Sequence, residues 1–242
     1  MHTLFTAPCH WVLSVSIHDI DIESKRQYLS SQELERCARF RQQDDQRRYI
    51  LAHALKRYCL SHFLKIPASQ LQFSVGAKGK PYCTNDNSPA FNLSHAGDFV
   101  LLGLSTLGHV GVDVEVIDRE VSAAIFPKVL SQKQQDKVRQ SNKPDYDFIC
   151  YWTQKEAISK ALGLGLAIDF TTIECTGLEG EFDIYHSKQC LLVSTLQWDE
   201  GHMLSVASTV NRPLEVIKVS GWQSDLVLEC DCNGSLEIQP SY

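Results

Sequence analysis

Between Val110 and Gly163 the chain switches from a period of two to a helical period, and both segments place charged side chains on one face. Val110, Val112, Val114 and Val116 alternate with Gly111, Asp113 and Glu115. Alternation of β-branched residues specifies a strand buried on its valine face. Asp113 and Glu115 then project together from the other face. Two carboxylates that close repel one another, and keeping both ionised beside packed valines requires a cation or basic groups. In W-T-Q-K-E-A-I-S-K-A-L-G, Trp152, Glu156 and Lys160 recur at i, i+4 and i+8, Ile158, Ala161 and Leu162 mark an apolar side, and Gly163 suits a C′ stop. Glu156 and Lys160 share a face of this helix.

Each segment has an ordinary explanation when read alone. A Glu to Lys i,i+4 pair on a solvated helix contributes only about 0.2–0.5 kcal/mol, and a D-V-E strand is commonly an exposed polar face. Together, with Gly111 and Trp152 flanking them, they resemble the phosphopantetheinyl transferases, specifically the longer surfactin-type (Sfp-type) branch. That family has a G-(I/V)-D-(I/V)-E strand followed by W-x-x-K-E-(A/S)-x-x-K-x-x-G. Three further matches occur in order upstream: the segment from E-R-C-A-R-F to R-R-Y-I-L-A-H-A-L-K-R between Glu35 and Arg57, G-K-P-Y at Gly79 to Tyr82, and F-N-L-S-H-A-G at Phe91 to Gly97.

The resemblance implies an α+β fold of two similar α/β halves related by a pseudo-twofold, with the active site in the cleft between them. The boundary is expected near Gly108, giving 1–108 as the coenzyme A nucleotide side and 109–242 as the metal and catalytic side. It implies Mg²⁺-dependent transfer of the 4′-phosphopantetheine group of coenzyme A to a serine of an apo carrier protein, with release of 3′,5′-ADP. Asp113, Glu115 and Glu156 are the implied metal ligands, directly or through water, and Glu156 is the candidate base. Lys160 is expected on the pyrophosphate, with Lys155 near the same mouth. Arg48 matches the arginine for the 3′-phosphate, and Arg36 is a second phosphate contact. Lys80 and Pro81 match the element on the adenine side, while Ser94 and His95 match the segment touching coenzyme A phosphates. Where several relatives carry a lysine, this chain has Glu33.

The charge distribution agrees with an anionic co-substrate. Residues 1–108 carry 12 Lys and Arg against 9 Asp and Glu, the remainder 11 against 20, within a formal net charge of −6. Arg36, Arg39, Arg41, Arg47, Arg48, Lys56 and Arg57 concentrate the basic charge and could furnish an anion-binding surface. A solvated helix face explains part of it. Without interleaved aromatics the patch does not suit nucleic acid. No apolar run spans a bilayer and M-H-T-L-F-T-A-P has no basic region before an apolar stretch, so the protein is expected in the cytoplasm; the resemblance to the longer branch, which supplies both halves of the cleft itself, implies a monomer. Nine cysteines without a C-x-x-C pair read as reduced packing residues; Cys230 and Cys232 lack nearby histidines for a metal site.

Periodicity predicts strands at 11–17, 71–75, 90–95, 99–105, 170–175, 181–186, 191–197 and 202–209. Helices are predicted from Ser31, where Ser30 and Glu33 have capping-box spacing, and at 45–64, 123–139 and 146–162. Phe99–Thr106 and His202–Thr209 read as equivalent strands of a duplicated unit. Ser94, His95 and Asp98 suggest a hydrolase triad, but neighbours on a strand point to opposite faces and cannot share a proton. No G-x-S-x-G, P-loop or G-x-G-x-x-G is present. Two other functions use the same residues: a metal-dependent phosphodiesterase with water as nucleophile, and a non-catalytic coenzyme A or carrier-protein binding module. The latter would be expected to lack a metal carboxylate or Lys160, and this chain has all of them.

Overall fold

A computed structural model describes residues 10–165, 168–210, 215–219, 222, 226–230 and 236–240. Their elements are β1 (His10–Ser16), α1 (Ile22–Lys25), α2 (Ser31–Cys37), α3 (Gln43–Leu64), β2 (Phe73–Val75), β3 (Pro81–Cys83), β4 (Ala90–Ala96), β5 (Phe99–Ser105), β6 (Val110–Val116), α4 (Phe126–Val129), α5 (Gln132–Gln140), α6 (Pro144–Leu162), β7 (Gly180–His186), β8 (Gln189–Gln197), β9 (His202–Ser208), β10 (Glu215–Val219), β11 (Leu226–Cys230) and β12 (Leu236–Pro240). Helix and sheet are thus mixed, as expected. No helix among the described residues is long and apolar enough to cross a membrane. Cys232 and half of the tail after Trp222 lie outside the described residues.

The chain divides into two compact units, Met1–Ser74 with Pro81–Leu107 and Leu214–Tyr242, and Val75–Lys80 with Gly108–Pro213. The chain passes from the first unit to the second at 107/108, but Val75–Lys80, inside the expected 1–108 half, already belongs to the second. The last segment departs from the expected 109–242 half, because β10 pairs in parallel with β1, Val12 opposite Val216 and Val15 opposite Val219. That pairing makes β10 part of the first unit's sheet.

In the first unit the sheet order is β10-β1-β5-β4. Strands β4 and β5 form an antiparallel hairpin through Gly97, which takes a φ of 51°. Helix α3 packs on β5 and β4, burying Ile50, Leu51, Ala54, Leu55 and Tyr58 in a core with Leu13, Val15, Phe91, Val100, Leu102 and Leu104. Each such large apolar side chain contributes roughly 1.5–3 kcal/mol. The capping box of α2 is present: Ser30 Oγ accepts from the Glu33 backbone and Glu33 accepts from the Ser30 backbone.

In the second unit the sheet is antiparallel throughout, in the order β6-β9-β8-β7, with α6 against β6, β9 and β8. Its core includes Phe148, Ile149, Tyr151, Ala157, Ile158, Val193, Met203 and Ala207. The two units share part of their connectivity. The opening strand is followed by helices, and the last strand of the unit's hairpin returns beside the opening one: β5 beside β1, and β9 beside β6. Phe99–Ser105 and His202–Ser208 hold equivalent positions in the two sheets.

Two local expectations fail for identifiable reasons. The 123–139 helix is interrupted after α4, where Ser131 adopts an extended conformation and starts α5 with its own capping box to Gln134. S-x-x-Q is a start signal inside what composition presents as one polar helix. Residues 170–175 are not a strand: Asp169 accepts from the Thr171 backbone at 3.0 Å and winds Phe170–Thr172 into a 3₁₀ turn.

Candidate active site

Gly111 sets how closely α6 approaches β6. A Cβ there would lie 2.0 Å from the Ala157 carbonyl oxygen and 2.3 Å from the Ala161 nitrogen, so only a residue without a side chain allows the helix backbone this near. The face of β6 that carries Gly111, Asp113 and Glu115 is consequently the face that α6 covers. Val110, Val112 and Val114 are buried as well, so that part of the strand is enclosed on both faces.

Helix and strand then run past one another with their polar side chains in register. The Trp152 indole donates to Glu115 Oε1 at 2.6 Å, and Lys160 Nζ donates to Asp113 Oδ1 at 2.6 Å. Glu156 lies between these two along the helix. Asp113 and Glu156 are only 4% and 8% exposed. Arg119, just past the end of β6, turns back to place Nη1 3.1 Å from Glu115 Oε2. Sequence periodicity did not reveal Arg119, because nothing in a helical or strand period encodes a chain that doubles back.

Burial, with the charges of Asp113 and Glu115, pushes the Glu156 carboxyl up to about 7, against the opposing pull of Lys160. Burial and Asp113 also raise Glu115. Among the described residues, no group of three or more His, Cys, Asp and Glu is arranged as a ready ion-holding set. Lys160 and Arg119 instead supply positive charge to two of the three carboxylates. Glu156 Oε1 is buried with no hydrogen-bond partner. Three carboxylates facing two cations, the unsatisfied Glu156 Oε1 and a carboxyl raised by burial and its neighbours' charge all fit a site that would take a hard divalent cation at Asp113 and Glu156.

Lys155 does not join this mouth. It is 0% exposed, and its ammonium donates to Val129 O at 2.9 Å, Gln134 Oε1 at 2.6 Å and Phe170 O at 2.8 Å. One residue along a helix is a rotation of about 100°, which turns Lys155 inward while Glu156 faces β6. Burial pushes its ammonium down to about 8. Lys80 is likewise engaged by protein groups, donating to Val110 O at 3.0 Å and Ala161 O at 3.1 Å. It ties the start of β6 to the last turn of α6, and Gly163 closes that helix in the left-handed conformation as expected.

The remaining candidates belong to the first unit. Arg48 donates to Gly97 O at 2.7 Å and to Asp45 at 2.6 Å. Arg36 is exposed, its guanidinium 6.0 Å from the Tyr49 ring centre. Pro81 opens β3 and is exposed. Ser94 is buried and its neighbour His95 exposed, in keeping with opposite faces of β4 and against a triad. The expected anion surface is smaller than the sequence implies. Lys56 and Arg57 are buried and donate to Glu33 at 2.9 and 2.6 Å, beside His53 at 2.9 Å. Burial pushes the Glu33 carboxyl up, but His53 and Lys56 outweigh it and hold the group well below the usual carboxylate range.

An acidic centre between a strand and a helix, rimmed by a lysine and an arginine on an α+β scaffold, is suited to chemistry on phosphate groups. Two family models match, one described as 4′-phosphopantetheinyl transferase, N-terminal, over residues 14–106, and one as the 4′-phosphopantetheinyl transferase superfamily over 109–204. The chain belongs to the 4′-phosphopantetheinyl transferases, in the Sfp-type branch. A putative 4′-phosphopantetheinyl transferase of Synechocystis is 33% identical, over 57% of this chain and 58% of its own length. The 4′-phosphopantetheinyl transferase psf-1 of Bacillus pumilus is 28% identical over 82% of this chain and 86% of its own. Sfp of Bacillus subtilis is 26% identical over 80% and 88%.

Proposed function

We propose that the chain transfers the 4′-phosphopantetheine group of coenzyme A to a serine of an apo carrier protein, the reaction of its family, using the Asp113, Glu115, Glu156 and Lys160 centre. The observation that carries the site is the buried, unpartnered Glu156 Oε1 on the helix face that meets Asp113 and Glu115. Mg²⁺ would be held chiefly by Asp113 and Glu156, with Glu115 beside them, and when bound supplies neutralisation of the diphosphate. Lys160 moves from Asp113 to a diphosphate oxygen. The carrier serine oxygen forms a bond to the phosphorus bearing the pantetheine arm, the bond from that phosphorus to the bridging oxygen breaks, and 3′,5′-ADP leaves. Glu156, as the carboxylate, accepts the serine proton.

Arg48, with Arg36 near it in sequence, would bind the 3′-phosphate after exchanging Asp45 for the ligand. Pro81, Ser94 and His95 line the nucleotide side in the same reading. The shared connectivity of the two units supports a pseudo-twofold pair with the active site in the cleft, and such a chain acts as a cytoplasmic monomer. The test is to incubate the protein with coenzyme A, Mg²⁺ and an apo carrier domain and weigh the carrier by mass spectrometry. A gain of one phosphopantetheine group is expected. Free phosphopantetheine with an unmodified carrier would establish hydrolysis instead.

A further inference from the structure

We propose that Arg119 is a place-holding cation: it neutralises Glu115 while no divalent ion is present, releases it when one arrives, and then grips the diphosphate of coenzyme A. This inference rests on the metal reading given above. Its starting point is that both oxygens of Glu115 are already engaged, Oε1 by the Trp152 indole at 2.6 Å and Oε2 by Arg119 at 3.1 Å. Each oxygen keeps a second lone pair, but a guanidinium at 3.1 Å repels an incoming cation, so Glu115 serves an ion best if Arg119 withdraws.

The two partners differ in freedom. Trp152 is fixed in α6 between aromatic neighbours, its ring 6.4 Å from Phe148 and 5.5 Å from Phe170, centre to centre. Arg119 is 42% exposed and follows the end of β6, where the backbone turns on itself from Arg119 N to Ile117 O. With the arginine end open to solvent, the pair is screened and weak enough for a divalent ion to displace. Charge balance favours redistribution over loss. The ion adds two positive charges and the diphosphate about two negative ones, so the net charge of the centre is unchanged, while its cations change partners. A guanidinium can take two diphosphate oxygens side by side, a geometry that an ammonium such as Lys160 cannot supply.

The proposal makes opposite predictions for metal and co-substrate, which a merely structural arginine would not produce. Mn²⁺ binding to the full chain without coenzyme A is measured by the loss of free-ion EPR signal, and coenzyme A affinity in Mg²⁺ by calorimetry. Arg119→Gln should bind Mn²⁺ about threefold or more tightly, since a competing cation is gone. The same variant should bind coenzyme A about tenfold more weakly, with Arg119→Lys recovering part of that loss. Unchanged or weaker Mn²⁺ binding in Arg119→Gln, with binding abolished in Asp113→Asn and Glu156→Gln, would overturn the role of Arg119 alone. If Asp113→Asn and Glu156→Gln bind Mn²⁺ as the parent does, the metal reading and this inference fall together.

Discussion

On α6, adjacent residues of similar character meet different surroundings because each step rotates the side chain by about 100°. Glu156 faces the carboxylates of β6, and its raised value has a sign that can be tested. A carboxyl raised from 4.5 to about 7 favours the folded state while protonated, so its contribution is present below about 4.5 and is lost as the pH rises through 7. Metal-free protein should therefore lose part of its thermal stability between these values, and Mg²⁺ should restore it more at pH 8 than at pH 5.5. In Glu156→Gln both the slope and the Mg²⁺ effect should shrink in calorimetric melts, and transfer should fall at least about a hundredfold. Lys155, one step away, is held by three buried acceptors. Lys155→Met should cost about 2–4 kcal/mol in denaturant unfolding while leaving the KM for coenzyme A of the folded fraction unchanged. A large rise in KM without destabilisation would restore it to the mouth of the site. Arg48→Ala should weaken coenzyme A binding by calorimetry, and less for a 3′-dephospho analogue; equal weakening would reject its phosphate role.

At the scale of elements, the site depends on the contact of one strand with one helix. At Gly111 the backbones of β6 and α6 approach closely, and their separation determines whether Asp113, Glu115 and Glu156 share one space. Gly111→Ala must push α6 away, since the added carbon meets backbone atoms that cannot rotate aside. The expected cost is about 2–4 kcal/mol by denaturant unfolding, with kcat falling more than KM rises because Glu156 is displaced. If stability and kcat both match the parent, the close approach is not what assembles the centre. The alternation around Asp113 and the spacing from Trp152 to Lys160 made these faces legible in the sequence. That α6 covers the carboxylate face, and that Arg119 returns to Glu115, was not legible: periodicity states which residues share a face but not which element lies upon it.

At the scale of the whole molecule, the segment after residue 213 rejoins the first unit. β10 extends its sheet beside β1, and Trp222 is 2% exposed, its ring 5.7 Å from Tyr28 and 5.1 Å from Tyr58. A chain ending at residue 213 should lose that ring packing and bare the edge of β1. Limited proteolysis should then cut within 10–74 and 81–107 well before it cuts within 108–210. Uniform protection would show that the return is dispensable. The sequence by itself determined the mixture of strands and helices, the shared faces of Asp113 with Glu115 and of Glu156 with Lys160, the caps at Ser30 and Gly163, and the family. Only tertiary structure decided that Lys155 and Lys80 hold backbone carbonyls, that Glu33 takes Lys56 and Arg57 out of the basic surface, and that β10 belongs with β1. Local pattern follows from the stereochemistry of neighbouring residues, whereas the partner of a buried charge is set by whichever distant groups the packed chain brings within hydrogen-bonding distance.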